Sequence, residues 1–159
     1  MSPKALAEQV VKKAKQQDLT LATAESCTAG CLALLLSDAP GAGDQFHGGF
    51  VVYSKLQKTV VLGVPALTIA EHTAVSRRVA EAMARGVLER CPADLSIAIT
   101  GVAGPEPDED GNPVGLMHVA VAFRSGDLRH RRCDFLERDR EALRVEAMRA
   151  ALSLAAEGL

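Results

Sequence analysis

Residues 95–100, Leu-Ser-Ile-Ala-Ile-Thr, are an almost continuous apolar run too short for a buried helix. A strand that shows no alternation of wet and dry faces has to be covered on both of them. The rest of the chain must therefore supply helices for two faces of one sheet. Candidate helices are present. Ser2-Pro3 reads as an N-cap followed by proline at the first helical position, and Leu6, Val10, Val11 and Ala14 recur at helical spacing. Further helices are predicted over residues 28–37, 55–61, 76–90 (with Ser76 as N-cap) and 138–156. Strands are predicted over residues 19–24 and 48–53. The last two strands, residues 115–123 and 128–135, form a hairpin through Ser125-Gly126-Asp127. The second hairpin strand carries Arg129, Arg131 and Arg132, which suits a charged edge.

The order α-β-α-β-α-α-β-β-β-α, without repeat or linker, predicts a single three-layer α/β/α domain with a mixed sheet over residues 1–159. Hydrophobic residues make up 48% of the chain but aromatics only 3%, so the core must be aliphatic and rich in alanine. The 18 basic and 20 acidic side chains nearly cancel, leaving no long-range field to draw nucleic acid or an anionic membrane. A small anion can still bind at a helix terminus. The N-terminal segment is amphipathic and charged, unlike a signal peptide, and no apolar run approaches the ~20 residues of a membrane span. The expected location is the cytoplasm. Cys27, Cys31, Cys91 and Cys133 have no disulfide-framework or zinc spacing and are expected as reduced thiols, so neither metal nor cofactor is expected.

Chemistry concentrates at residues 23–30, Thr-Ala-Glu-Ser-Cys-Thr-Ala-Gly, where a strand gives way to a helix. Backbone N–H groups of Cys27, Thr28 or Ala29 at a helix start can face a ligand or an oxyanion. Ser26 has two readings, a helix N-cap or a nucleophile. A nucleophilic serine needs a base. His47, His72, His118 and His130 show no pairing with it, whereas Lys58 follows Tyr53 by five positions at the rim of the sheet. A lysine is a base only when neutral, and otherwise is a solvated surface cation; Lys55, on the same short helix, serves as a control. The turn after the buried strand, residues 100–105 (TGVAGP), lets a ligand approach the backbone but is no P-loop. Residues 41–46 end in Phe where a dinucleotide fingerprint needs Gly or Ala, and residues 106–117 lack the ligands of a calcium loop, so their acids read as a solvated loop.

AESCTAG, GGFVVYSKLQK, HTAVS, TGVAGP, NPVG and DREALR occur in this order, from about residue 4 to 155, and the chain thereby resembles the CinA C-terminal domain family. That family includes stand-alone nicotinamide-nucleotide amidohydrolases, which convert nicotinamide mononucleotide to nicotinate mononucleotide and ammonia without a metal. The resemblance implies Ser26 as nucleophile, Lys58 as its base and Tyr53 as a group that orients Lys58 or relays the proton. It implies a substrate site drawn from Glu25 (in a positioning role), Cys27, Thr28, Ala29, Gly30, Thr100, Gly101, Ala103 and Gly104. Arg140 and Arg144 would face the phosphate, with a solvated helix face as their other reading. The expected partner is a small nucleotide, neither nucleic acid nor membrane, with a homo-oligomer left open. Ala29 replaces the first glycine of the family's usual pair, a change tolerable if its backbone is ordinary helix. Glu106-Pro107-Asp108 replaces a Gly-rich tail, and Lys55 replaces the usual Asn. Two other readings remain, an idle binding or assembly module and a thiol amidase using Cys27.

Overall fold

The computed structural model describes residues 1–136 and 139–159. Its elements are α1 (Pro3–Gln16), β1 (Leu21–Glu25), α2 (Cys31–Ser37), α3 (Ala42–Gln45), β2 (Phe46–Val51), α4 (Lys55–Leu62) and α5 (Ala66–His72), followed by α6 (Arg77–Arg90), β3 (Leu95–Gly101), β4 (Leu116–Phe123), β5 (Leu128–Asp134) and α7 (Arg140–Gly158). The five strands form one mixed sheet in the order β2-β1-β3-β4-β5. β1 pairs in parallel with β2 and β3, and β3, β4 and β5 pair antiparallel. The expected mixed sheet, central 95–100 strand and arginine-bearing edge strand are all present.

The two faces of the sheet are built from side chains of different size. Leu21, Ile97, Ile99, Val119 and Val121 face α1, α2 and α7 in one aliphatic core. Ala22, Ala24, Ala98, Ala120 and Ala122 meet α6 on the other face. The alanines let α6 approach closely, and Ser96 Oγ donates to the Ala84 carbonyl of that helix at 2.5 Å. Gly86 continues the close packing outward, since a Cβ there would fall 2.2 Å from the Leu62 carbonyl oxygen at the end of α4. Each fully buried Leu, Ile or Val contributes roughly 1.5–3 kcal/mol relative to exposure.

Several boundaries differ from the sequence expectation. The strand expected over 48–53 runs Phe46–Val51, because the Val52 N–H makes one last bond to the Glu25 carbonyl (2.8 Å) and the chain then leaves the sheet. The single-turn α3 and the seven-residue α5 were not expected: α5 buries only Ile69, so no apolar stripe marks it. The helix expected from residue 138 has Asp139 as N-cap, its Oδ2 accepting the Ala142 N–H, while the predicted start at Arg138 lies outside the described residues. Among the described residues no helix is long and apolar enough to cross a membrane. The carboxyl ends of β1, β2 and β3 meet at one edge of the sheet, where open α/β folds bind ligands.

Candidate active site

At that edge the chain leaves β1 at Ser26, whose N–H still bonds the Ile99 carbonyl at 3.0 Å. Leaving β2, it presents the carbonyls of Val52 and Tyr53 and starts α4 with Ser54 as cap, its Oγ accepting the Gln57 N–H. Lys58 lies one turn into α4. Helical side chains lean toward the helix N-terminus, which carries its ammonium back to the strand ends. Lys58 Nζ donates to Ser26 Oγ at 2.8 Å, to Val52 O at 3.0 Å and to Tyr53 O at 3.1 Å. The Ser26 hydroxyl in turn donates to Tyr53 O at 3.4 Å.

Lys58 is 1% exposed and Ser26 6%. No carboxylate pairs with Lys58 among the described residues. Burial pushes its pKa down to about 8; Cys27 opposes this and Lys55 reinforces it. The geometry suits the neutral amine. Once deprotonated, it can keep its two hydrogens on the two carbonyls and turn its lone pair to the Ser26 hydroxyl.

The β1–α2 junction departs from expectation. The helix starts at Cys31 rather than Thr28, and its free donors are taken within the protein: Glu25 Oε1 accepts the Leu32 N–H at 2.8 Å and Oε2 the Ala33 N–H at 3.0 Å. Glu25 is fully buried as a cap of α2 and does not line the cavity, which corrects its expected place in the substrate site. Thr28, Ala29 and Gly30 likewise lie off the cavity, because the chain turns away through the left-handed region at Ala29 (φ 48°) and Gly30 (φ 97°). Ala29 is therefore not in ordinary helix. Ala29→Gly is expected to stabilise the fold by roughly 0.5–1 kcal/mol, read as a higher midpoint in urea; a lower midpoint would contradict the strain at this position.

Arg144 also lies off the cavity: its Nε donates to the Cys27 carbonyl at 2.8 Å and fixes the turn after Ser26. This corrects its expected role at a phosphate. Burial pushes the Cys27 thiol up to about 12, against the pull of nearby Arg144, and its Sγ points at Met117 Sδ 3.7 Å away. A thiol held protonated is a poor nucleophile.

The cavity beside Ser26 has a volume of about 460 Å³. Ser26, Cys27 and Lys58 line it, together with the segment from Thr100 to Gly104. The Thr100 hydroxyl is committed to the Ala74 carbonyl at 2.8 Å. Gly101 has to lack a side chain, since a Cβ would lie 1.9 Å from Met117 Sδ. Tyr53 and Arg140 meet at the rim, where Arg140 Nη2 donates to the Tyr53 hydroxyl at 2.9 Å and Nη1 to the Gly104 carbonyl. The backbone carbonyl of Tyr53 thus holds Lys58, while its hydroxyl is bonded to Arg140, so the expected proton relay finds no support.

One part of the lining was not anticipated. Glu106, Asp108, Glu109 and Asp110, expected as a solvated loop, line the cavity together with Lys55, expected only as a surface control. Lys55 Nζ lies 3.1 Å from Glu109 Oε1 and 2.8 Å from Asp110 Oδ2. The sequence signal was there in the joint replacement of Asn by Lys55 and of the Gly-rich tail by acids. His118 and His130 lie outside the cavity, Nδ1 to Nε2 at 2.8 Å, with burial driving His118 down to about 4.

Residues 3–159 match the family model described as the CinA C-terminal domain. The chain belongs to this family. It is 43% identical over 148 residues to a CinA-like protein of Akkermansia muciniphila, covering 93% of this chain and 36% of that protein. The chain thus spans little more than a third of that curated relative's length. Among solved structures, a competence damage-inducible protein A from Klebsiella pneumoniae is 36% identical with a TM-score of 0.94, covering 99% of this chain and 96% of that one. A CinA superfamily protein from Escherichia coli is 35% identical with the same TM-score of 0.94, covering 99% and 91%. The architecture described above is therefore that of the CinA superfamily.

Proposed function

We propose that this CinA-family chain is an amidohydrolase that converts nicotinamide mononucleotide to nicotinate mononucleotide and ammonia, with Ser26 as nucleophile and Lys58 as its base. One observation carries the reading: a lysine buried without a carboxylate partner among the described residues directs Nζ at a serine hydroxyl on a cavity wall. Such burial destabilises the cation and has no use in a module that only binds or assembles. The resemblance to stand-alone nicotinamide-nucleotide amidohydrolases supports the choice of carboxamide.

In this reaction Ser26 Oγ attacks the carboxamide carbon while its proton passes to Lys58 Nζ. The C=O electron pair moves onto oxygen. The N–H group of Cys27, which bonds no other described residue, is the candidate oxyanion donor. Collapse re-forms the C=O and expels nitrogen, which leaves as ammonia with the proton from Lys58. Water then attacks the Ser26 ester with Lys58 again as base, and the carboxylic acid product departs. Gly101, Ala103 and Gly104 offer backbone to the ring and ribose, and Tyr53 and Arg140 position the substrate at the rim.

A base with its pKa at about 8 is only about one-tenth neutral at pH 7. kcat/KM should therefore rise tenfold per pH unit below about 8 and level off above it. A profile flat from pH 6 to 9 would remove Lys58 from the base role. Ammonia release from nicotinamide mononucleotide by the wild type, Ser26→Ala and Lys55→Ala tests the whole reading. Loss of roughly a thousandfold or more is expected for Ser26→Ala, and measurable turnover is expected to survive in Lys55→Ala. No release by the wild type would favour the binding-module reading.

A further inference from the structure

The turn that carries Ser26 is held in two ways. Ser26 itself is tied to the sheet, its N–H donating to the Ile99 carbonyl at 3.0 Å. The carbonyls of Ser26 and Thr28 are closed within the turn, by the Ala29 N–H at 3.1 Å and the Cys31 N–H at 2.9 Å. The Cys27 carbonyl between them is held from outside, by Arg144 Nε of α7 at 2.8 Å. This outside clamp has a strained backbone to hold, since Ala29 sits at φ 48° without being glycine. With the Ser26–Cys27 peptide fixed by Ala29 and the Cys27–Thr28 peptide fixed by Arg144, the Cys27 N–H is left one direction. It bonds no other described residue, and Cys27 lines the cavity beside Ser26. Among the described residues the Cys27 carbonyl is the one hydrogen-bond partner of the Arg144 side chain, which has no ion pair and does not line the cavity. Its charge nevertheless reaches Cys27. Burial raises that thiol, and of the three cations opposing it Arg144 acts ahead of Lys58 and Arg140.

Resting on the amidohydrolase reading, we propose that Arg144 is a positioning residue for the reaction: its hold on the Cys27 carbonyl aims the Cys27 N–H at the oxyanion of the tetrahedral intermediates. The guanidinium acts through the backbone and touches no substrate. Its effect is therefore confined to the transition state, where charge gathers on the former carboxamide oxygen, and substrate binding does not depend on it. Lysine replaces it only in part, because a single ammonium on a flexible stem lacks the planar fork that fixes direction.

The test is kcat and KM for ammonia release from nicotinamide mononucleotide by the wild type, Arg144→Met and Arg144→Lys. The thermal midpoint of each is measured and every assay is run well below it. Arg144→Met is expected to lose roughly 10- to 100-fold in kcat with KM within about twofold, as for a donor misdirected rather than removed. Arg144→Lys should fall between the two. Should Arg144→Met fail to fold, Arg144→Lys carries the same split, with a kcat loss of roughly three- to tenfold. A loss that falls on KM, an unchanged kcat, or a kcat that only follows the folded fraction overturns the positioning role and leaves the amidohydrolase intact. No release by the wild type overturns the amidohydrolase reading and the positioning role with it.

Discussion

Lys58→Met is expected to cut ammonia release at least about a thousandfold while leaving the protein as stable as the wild type or more so. The two effects have one cause. Lys58 sits at 1% exposure, and among the described residues its charge is balanced by no acid, only by a hydroxyl and two carbonyls. Replacing a buried charge by an apolar chain of similar length is often neutral or stabilising by about 1–4 kcal/mol. The sign follows from linkage. Burial lowers the pKa from the usual 10.5 to about 8, so between these values the unfolded chain binds a proton that the folded one does not. Stability contributed by this residue is therefore lowest below pH 8 and rises through the window from 8 to 10.5, by about 1.4 kcal/mol per pH unit at most. Urea midpoints across this range should rise in the wild type and lose that component in Lys58→Met. A variant markedly less stable at pH 7 would instead assign Lys58 a structural role.

Glu25→Ala should be the most destabilising single change at the junction, by roughly 2–4 kcal/mol. Removing the carboxylate leaves the Leu32 N–H buried without an acceptor, and the Ala33 N–H beside it. It also withdraws a negative charge from the N-terminus of α2. Thermal unfolding is the readout, since about 1 kcal/mol shifts the midpoint by 2–4 °C in a domain of this size. Activity should fall with the fold rather than separately, because Glu25 does not line the cavity. Unchanged stability with lost activity would return Glu25 to the substrate site.

The frame of the molecule was readable because its constraints are local. Residues 95–100 declared a strand covered on both faces, and Ser2, Ser76 and the hairpin turn marked element ends. The convergence of Ser26 with Lys58 is different in kind. It depends on β1 and β2 lying side by side in parallel, which no spacing reveals, and here the family resemblance did what periodicity could not. The readings of Glu25 and Arg144 missed their partners, and that of Tyr53 named the orienting of Lys58 without the atom that does it, for a shared reason. Each acts through backbone: the first caps α2, the second holds the Cys27 carbonyl, and the third offers its own carbonyl to Lys58. Backbone partners leave no residue-type signature. The 106–110 wall was missed because exposed acids in a Gly- and Pro-rich loop look solvated until Lys55 is seen against them.

The central claim, a Ser26 acyl-enzyme formed with the help of Lys58, is tested most directly by quenching the enzyme with acid during turnover of nicotinamide mononucleotide and mapping the adduct by mass spectrometry. An acyl group on the peptide containing Ser26, borne by Ser26 and absent in both Ser26→Ala and Lys58→Met, is the expected result. An adduct on Cys27, or one that persists in Ser26→Ala, would contradict it.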